Sequence, residues 1–133
     1  MRVSDWMTEK PITVTEETLL LDAYRIFHEY EIRHLPVMRD DHLVGIVSDR
    51  DVGKFMLDKL SKPHTSVTET VGSAMTRNVV TIAADDSVVN AAMIMHNRKI
   101  SCLPVLNRAG QLVGIMTIND LLEVLVSRLQ GAP

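Results

Sequence analysis

The chain has 133 residues, of which 46% are hydrophobic, 4% aromatic and 23% charged, with a formal net charge of −3. That suits one domain, or two closely packed halves, around an aliphatic core. The acidic balance and the lack of a Lys/Arg cluster argue against a nucleic-acid partner, which needs a basic face. No run of about 18 uninterrupted apolar residues is present, so no membrane-spanning helix is expected. The opening MRVSDWMTEK lacks the apolar core of a secretory signal, and the single cysteine, Cys102, permits no internal disulfide. Both features point to the cytoplasm.

Taken in chain order, the β-branched run 12–15 predicts a strand. Thr18 is the expected N-cap of a helix carrying Leu20, Ala23, Ile26, Phe27 and Tyr30 at helical spacing. Residues 35–38 read as a strand, with Pro36 at its start or on an edge. After a turn at 39–41, the near-continuous apolar run 43–47 predicts a strand buried on both faces. Residues 49–60 read as a helix, and the polar stretch 61–70 (SKPHTSVTET) as a linker. The same series then returns. A strand is expected at 80–83, and a helix capped by Asp86 carries Val88, Ala91, Ile94 and Met95. Strands at 103–106 and 112–116 flank a turn at 107–110, and a helix covers 118–129.

This return is an internal repeat. Setting 3–38 against 71–106 aligns Val3 with Val71, Met7-Thr8 with Met75-Thr76, Ala23 with Ala91, Ile32 with Ile100, and Leu35-Pro36-Val37 with Leu103-Pro104-Val105. One residue is inserted near Ala109-Gly110, after which Leu43-Val44-Gly45-Ile46 aligns with Leu112-Val113-Gly114-Ile115, and Asp51 with Asp120. The expected organisation is a mixed α/β (α+β) fold. Two pseudo-symmetric β-α-β-β-α repeats, at 1–60 and 71–130 with a linker at 61–70, pack as one compact domain. One repeat alone is too small to bury both faces of its sheet.

The residues that recur most faithfully are Val-x-x-x-Met-Thr, Ile-x-x-Leu-Pro-Val and the closing Gly-Ile-x-Ser/Thr-x-x-Asp. The last is Gly45-Ile46-Val47-Ser48-Asp49-Arg50-Asp51 in one copy and Gly114-Ile115-Met116-Thr117-Ile118-Asn119-Asp120 in the other. Together they make the repeat resemble the cystathionine β-synthase (CBS) domain, and the tandem resemble a stand-alone CBS pair, or Bateman module.

The closing motif also has a chemistry of its own. An apolar strand ends at a hydroxyl where a helix begins, and helix starts offer unpaired N–H groups to phosphate. The Asp one turn further on is acceptor-only and can take both ribose hydroxyls. The same pattern is a capping box with Asp in place of Glu, and the two roles are compatible.

The resemblance implies adenosyl ligands in two clefts between the repeats. One cleft would use Thr13, Val14, Ile32, Arg33, His34 and Leu35 with Thr117 and Asp120. The other would use Thr81, Ile82, Ile100, Ser101, Cys102 and Leu103 with Ser48, Arg50 and Asp51. Ile32 or Ile100 would face the adenine. The clefts are expected to be unequal, since Arg33-His34 is replaced by Ser101-Cys102, and Arg50 by Asn119.

Other residues carry plainer expectations. His28 and His96 lie beside apolar helical stripes and lack the ligand clusters of a zinc site. Cys102 has no recognisable base. Met93, Met95 and Met116 are expected to fill the core, and Trp6 to cover the domain edge or an interface. No nucleophile–base pair appears, so no enzyme is expected and no catalytic cofactor or metal. The expected function is regulatory: sensing AMP, ADP, ATP or a related adenosyl compound, as a homodimer with a possible regulated enzyme partner. The alternative is a nucleotide-independent interaction module.

Overall fold

The computed structural model describes residues 1–60 and 69–131. It divides into two compact units, Met1–Pro11 with Val80–Pro133, and Ile12–Val79. These boundaries differ from those of the repeats: each unit holds the body of one repeat and the opening stretch of the other. Of the expected linker, 61–68 lies outside the described residues. Glu69 and Thr70 belong to the second unit, where Thr70 bridges Leu19 and Lys59 pairs with Glu69 at 3.3 Å.

In the second unit, helix α2 (Leu20–Tyr30) leads to the antiparallel pair β2 (His34–Arg39) and β3 (His42–Ser48), then to helix α3 (Asp49–Leu60). A 3-10 turn at Val71–Ser73 closes it. In the first unit, α1 (Val3–Trp6) and β1 (Thr8–Glu9) are joined by β4 (Ile82–Ala83), α4 (Val88–Arg98), β5 (Cys102–Leu106), β6 (Leu112–Thr117) and α5 (Ile118–Leu129). Its sheet runs β1-β6-β5-β4. Among the described residues no helix is long and apolar enough to cross a membrane.

The two cores match at seven repeat-equivalent positions. Val14, Leu20, Ala23, Phe27, Leu35, Val37 and Val47 fill one, and Ile82, Val88, Ala91, Met95, Leu103, Val105 and Met116 fill the other. The exchange of opening stretches completes both: Val3 is fully buried in the first core, and Val71 occupies the equivalent place in the second. Each such side chain contributes about 1.5–3 kcal/mol by burial.

Several expected elements differ. The strand at 12–15 shrinks to a single parallel bridge of Val14 to Val37, and that at 80–83 to Ile82–Ala83. These runs are too short for an extended ladder. Pro36 accepts from the Val14 N–H at 3.1 Å, so its missing N–H falls beyond the bridge, where none is needed. Residues 43–47 are not uniformly buried: Gly45 and Val47 are, while Leu43, Val44 and Ile46 are half-buried. Thr18 does not cap α2, whose N-cap is Leu19; its hydroxyl accepts from the Thr15 N–H instead. Ser87, not Asp86, caps α4, accepting from Asn90 N–H at 2.9 Å, while Asp86 holds the Ser87 N–H and the Asn90 amide. Met95 and Met116 are core residues, but Met93 is 53% exposed. Trp6 packs half-buried against the first core.

Candidate functional site

Both central helices stop the same way. Glu31 after α2 and Lys99 after α4 take left-handed backbone, with φ of 53° and 55°. The next N–H then reaches back: Ile32 to the Phe27 carbonyl and Ile100 to the Met95 carbonyl, both at 3.1 Å. That turn delivers residues 32–35 and 100–103 into β2 and β5. There His34 lies opposite Ser48, and Cys102 opposite Thr117. Arg33 and Ser101 lend their carbonyls to the first N–H groups of α3 and α5, at 3.0 Å each. In each unit, therefore, the stretch before the proline and the hydroxyl–carboxylate motif meet at one end of the sheet.

The motif itself is a reciprocal cap. Ser48 Oγ accepts from the Asp51 N–H at 3.0 Å, and Asp51 accepts from the Ser48 N–H at 3.0 Å. In the first unit Thr117 Oγ1 accepts from the Asp120 N–H at 3.2 Å, and Asp120 Oδ2 accepts from the Thr117 N–H at 2.8 Å and its hydroxyl at 3.1 Å. Asp120 is 6% exposed, the one buried charged residue among those described.

Electrostatics follow this geometry. Burial, foremost, holds the His34 imidazole below its usual pKa; Arg33 adds to this, while Asp49 and Asp51 oppose it. Burial, and then the Asp120 charge, push the Cys102 thiol far above its ordinary range. Cys102 is thus a packed strand residue.

The expected side chains divide by exposure. Thr13, Arg33, Arg50 and Ser101 are exposed, and Ile32, His34, Ser48, Asp51, Thr81, Ile100 and Thr117 half-buried. Val14, Ile82, Leu35 and Leu103 are core residues, the last two fully buried. Val14 also spends its N–H and carbonyl on Pro36 and Met38. A concavity of about 430 Å³ in the second unit is lined by Tyr24, His28, Ile32, Arg33, Asp49 and Gly53, among others. Among the described residues no His/Cys/Asp/Glu group is placed to hold a metal.

Sequence reasoning missed one polar partner, Thr8, whose hydroxyl donates to Asp120 Oδ1 at 3.2 Å. It also missed why the repeated Met-Thr and Gly occur together. The Met7–Thr8 stretch lies directly over Gly114, and Met75–Thr76 over Gly45. Thr8 pairs with Ile115, and Thr76 bridges Ile46. The repetition of Met-Thr was the available signal.

Comparison with known proteins agrees with this architecture. A crystal structure of the CBS domain pair of protein MJ0100, in complex with 5′-methylthioadenosine and S-adenosyl-L-methionine, matches with TM-score 0.83 and 29% identity, over 96% of this chain and 98% of that one. CBSX2 in complex with AMP matches with TM-score 0.81 and 28% identity, over 95% and 96%. Homoserine O-acetyltransferase of Methanococcoides burtonii is 36% identical over 120 residues, which is 90% of this chain but 23% of that enzyme. The chain thus spans under a quarter of that relative. The CBS domain profile matches twice, at residues 3–58 and 71–127, the two copies of the repeat. The chain belongs to the CBS domain family.

Proposed function

We propose that this chain is a regulatory module, without catalytic activity, that binds an adenosyl compound (AMP, ADP, ATP or a relative such as S-adenosylmethionine) through its two hydroxyl–carboxylate helix starts. The observation that carries this reading is the occurrence of that start in both units, at Ser48/Asp51 and Thr117/Asp120, in a chain similar over nearly its whole length to CBS pairs solved with such ligands. The carboxylates suit the ribose hydroxyls. Ile32 and Ile100, both half-buried, suit the adenine face. Arg33 and Arg50, both exposed, suit phosphate. The first unit has Ser101 and Asn119 at the equivalent positions, so the two halves bind unequally. Such a module acts in the cytoplasm on an enzyme partner, by binding one of two states more tightly.

Isothermal titration with AMP, ADP, ATP, S-adenosylmethionine and NAD tests this. Binding of at least one, weakened by Asp51→Ala or Asp120→Ala, supports it. If each carboxylate serves its own ligand, the two variants remove different binding events. Silence toward all five compounds overturns the reading and favours an interaction module. A second copy of the chain is the partner we assign to the exposed apolar faces. Ile118, Leu122, Leu125, Val126 and Leu129 on α5 are each more than 40% exposed, as are Leu57 and Leu60 on α3.

A further inference from the structure

Asp120 belongs to the body of the second repeat, yet one of its donors comes from the chain's opening stretch. Thr8 lies in β1, paired to β6 beside Gly114, and its hydroxyl reaches Asp120 Oδ1 at 3.2 Å. A buried carboxylate needs donors, and its two oxygens offer about four acceptor sites. Thr117 N–H takes one site on Oδ2, and Thr8 takes one on Oδ1. The Thr117 hydroxyl takes a third, and because its oxygen is anchored as acceptor of the Asp120 N–H, its proton is free to turn to a ligand without moving the side chain. One site then remains on each oxygen, which is what two neighbouring hydroxyls require.

We propose that Thr8 is a positioning residue: it fixes the Asp120 carboxylate with its free acceptor sites toward a ribose diol, and so couples ligand binding to docking of the Met1–Pro11 stretch. The proposal rests on the adenosyl reading above. The coupling is reciprocal, because whatever holds the carboxylate for the ligand is held in turn by it. The opening stretch is the element that moves in response. Its other ties to the first unit include the β1–β6 pairing, the Arg2–Ser87 bridge, the Val3 burial, and backbone bonds from the Val3, Ser4 and Val88 N–H groups to the Asp86, Ala84 and Met1 carbonyls, at 2.8, 2.9 and 3.0 Å.

The test uses the full chain, with Thr8→Val removing the hydroxyl and Thr8→Ser keeping it. AMP and 2′,3′-dideoxyadenosine 5′-monophosphate are titrated into each, and amide hydrogen exchange at Ser4 and Met7 is followed with and without AMP. Thr8→Val is expected to weaken AMP about tenfold, equivalent to about 1.4 kcal/mol, and to leave the dideoxy compound unchanged. Thr8→Ser is expected to bind AMP like the parent. AMP is expected to slow exchange at Ser4 and Met7 in the parent but not in Thr8→Val. Equal weakening of both compounds marks a merely structural role and overturns the proposal, as does full AMP affinity in Thr8→Val. If the unaltered chain binds none of the adenosyl compounds, the functional reading itself falls, and this proposal with it.

Discussion

At the scale of single residues, the motif glycines are explained by what crosses them. A methyl group on Gly45 would lie 2.8 Å from Met75 Sδ and 2.9 Å from the Thr76 carbonyl oxygen. One on Gly114 would meet Met7 Sδ and, at 2.9 Å, the Thr8 carbonyl oxygen. The backbone oxygens cannot yield without breaking the strand contacts, so Gly45→Ala and Gly114→Ala are each expected to lose about 1–3 kcal/mol in urea unfolding. Gly53, inside α3 with nothing within 4 Å, is the control: Gly53→Ala is expected to gain about 0.5–1 kcal/mol. A gain at all three positions would show that the crossing stretches are loosely held. Cys102 gives a second expectation. Burial and the Asp120 charge keep its thiol protonated in the fold. An aromatic disulfide reagent at pH 8 should therefore leave it untouched until urea is added. The unfolded thiol ionises near its ordinary pKa of about 8.5, while the folded one keeps its proton. Its contribution to stability is therefore complete below that pH and is lost as the pH rises past it, a slope that Cys102→Ala removes.

At the scale of elements, α3 and α5 run over the residues their sequence periodicity implies, Asp49–Leu60 and Ile118–Leu129. Their starts were legible because the hydroxyl–Asp pattern is local: cap and carboxylate lie within one turn. The first-strand runs and the caps at Thr18 and Asp86 misled, since β-branched residues and Thr or Asp near a helix suit several neighbouring positions equally. The opening elements α1 and β1 were not legible at all. They are four and two residues long and gain their order from β6 and from Val3 burial rather than from propensity. Deleting residues 1–11 therefore removes a core side chain and an edge strand from the first unit. Thermal unfolding of that truncation is expected to lose the cooperative transition of the first unit and to keep that of Ile12–Val79. A single unchanged transition would contradict the assignment of the stretch to the first core.

At the scale of the whole molecule, the exposed apolar stripe on α5 is a surface we assign to a second copy of the chain. Leu125 and Leu129 are 52% and 78% exposed, so the pair Leu125→Glu and Leu129→Glu leaves the core intact. In sedimentation the unaltered chain is expected to run as a dimer and the double variant as a monomer. A monomer for the unaltered chain at high concentration would remove the second copy as partner.

The sequence by itself determined the duplication, the mixed α/β class, the long helices and the two hydroxyl–carboxylate motifs. Each of these is written in local spacing or in the register of one copy against the other. Only the tertiary structure decided which opening stretch completes which core, and with it that Thr8 reaches Asp120 and that Met7 lies on Gly114. Val3 and Val71 are the same residue in equivalent contexts, so nothing local distinguishes the core each enters. That choice belongs to how the folded chain brings distant segments together, and single-residue periodicity carries no record of it.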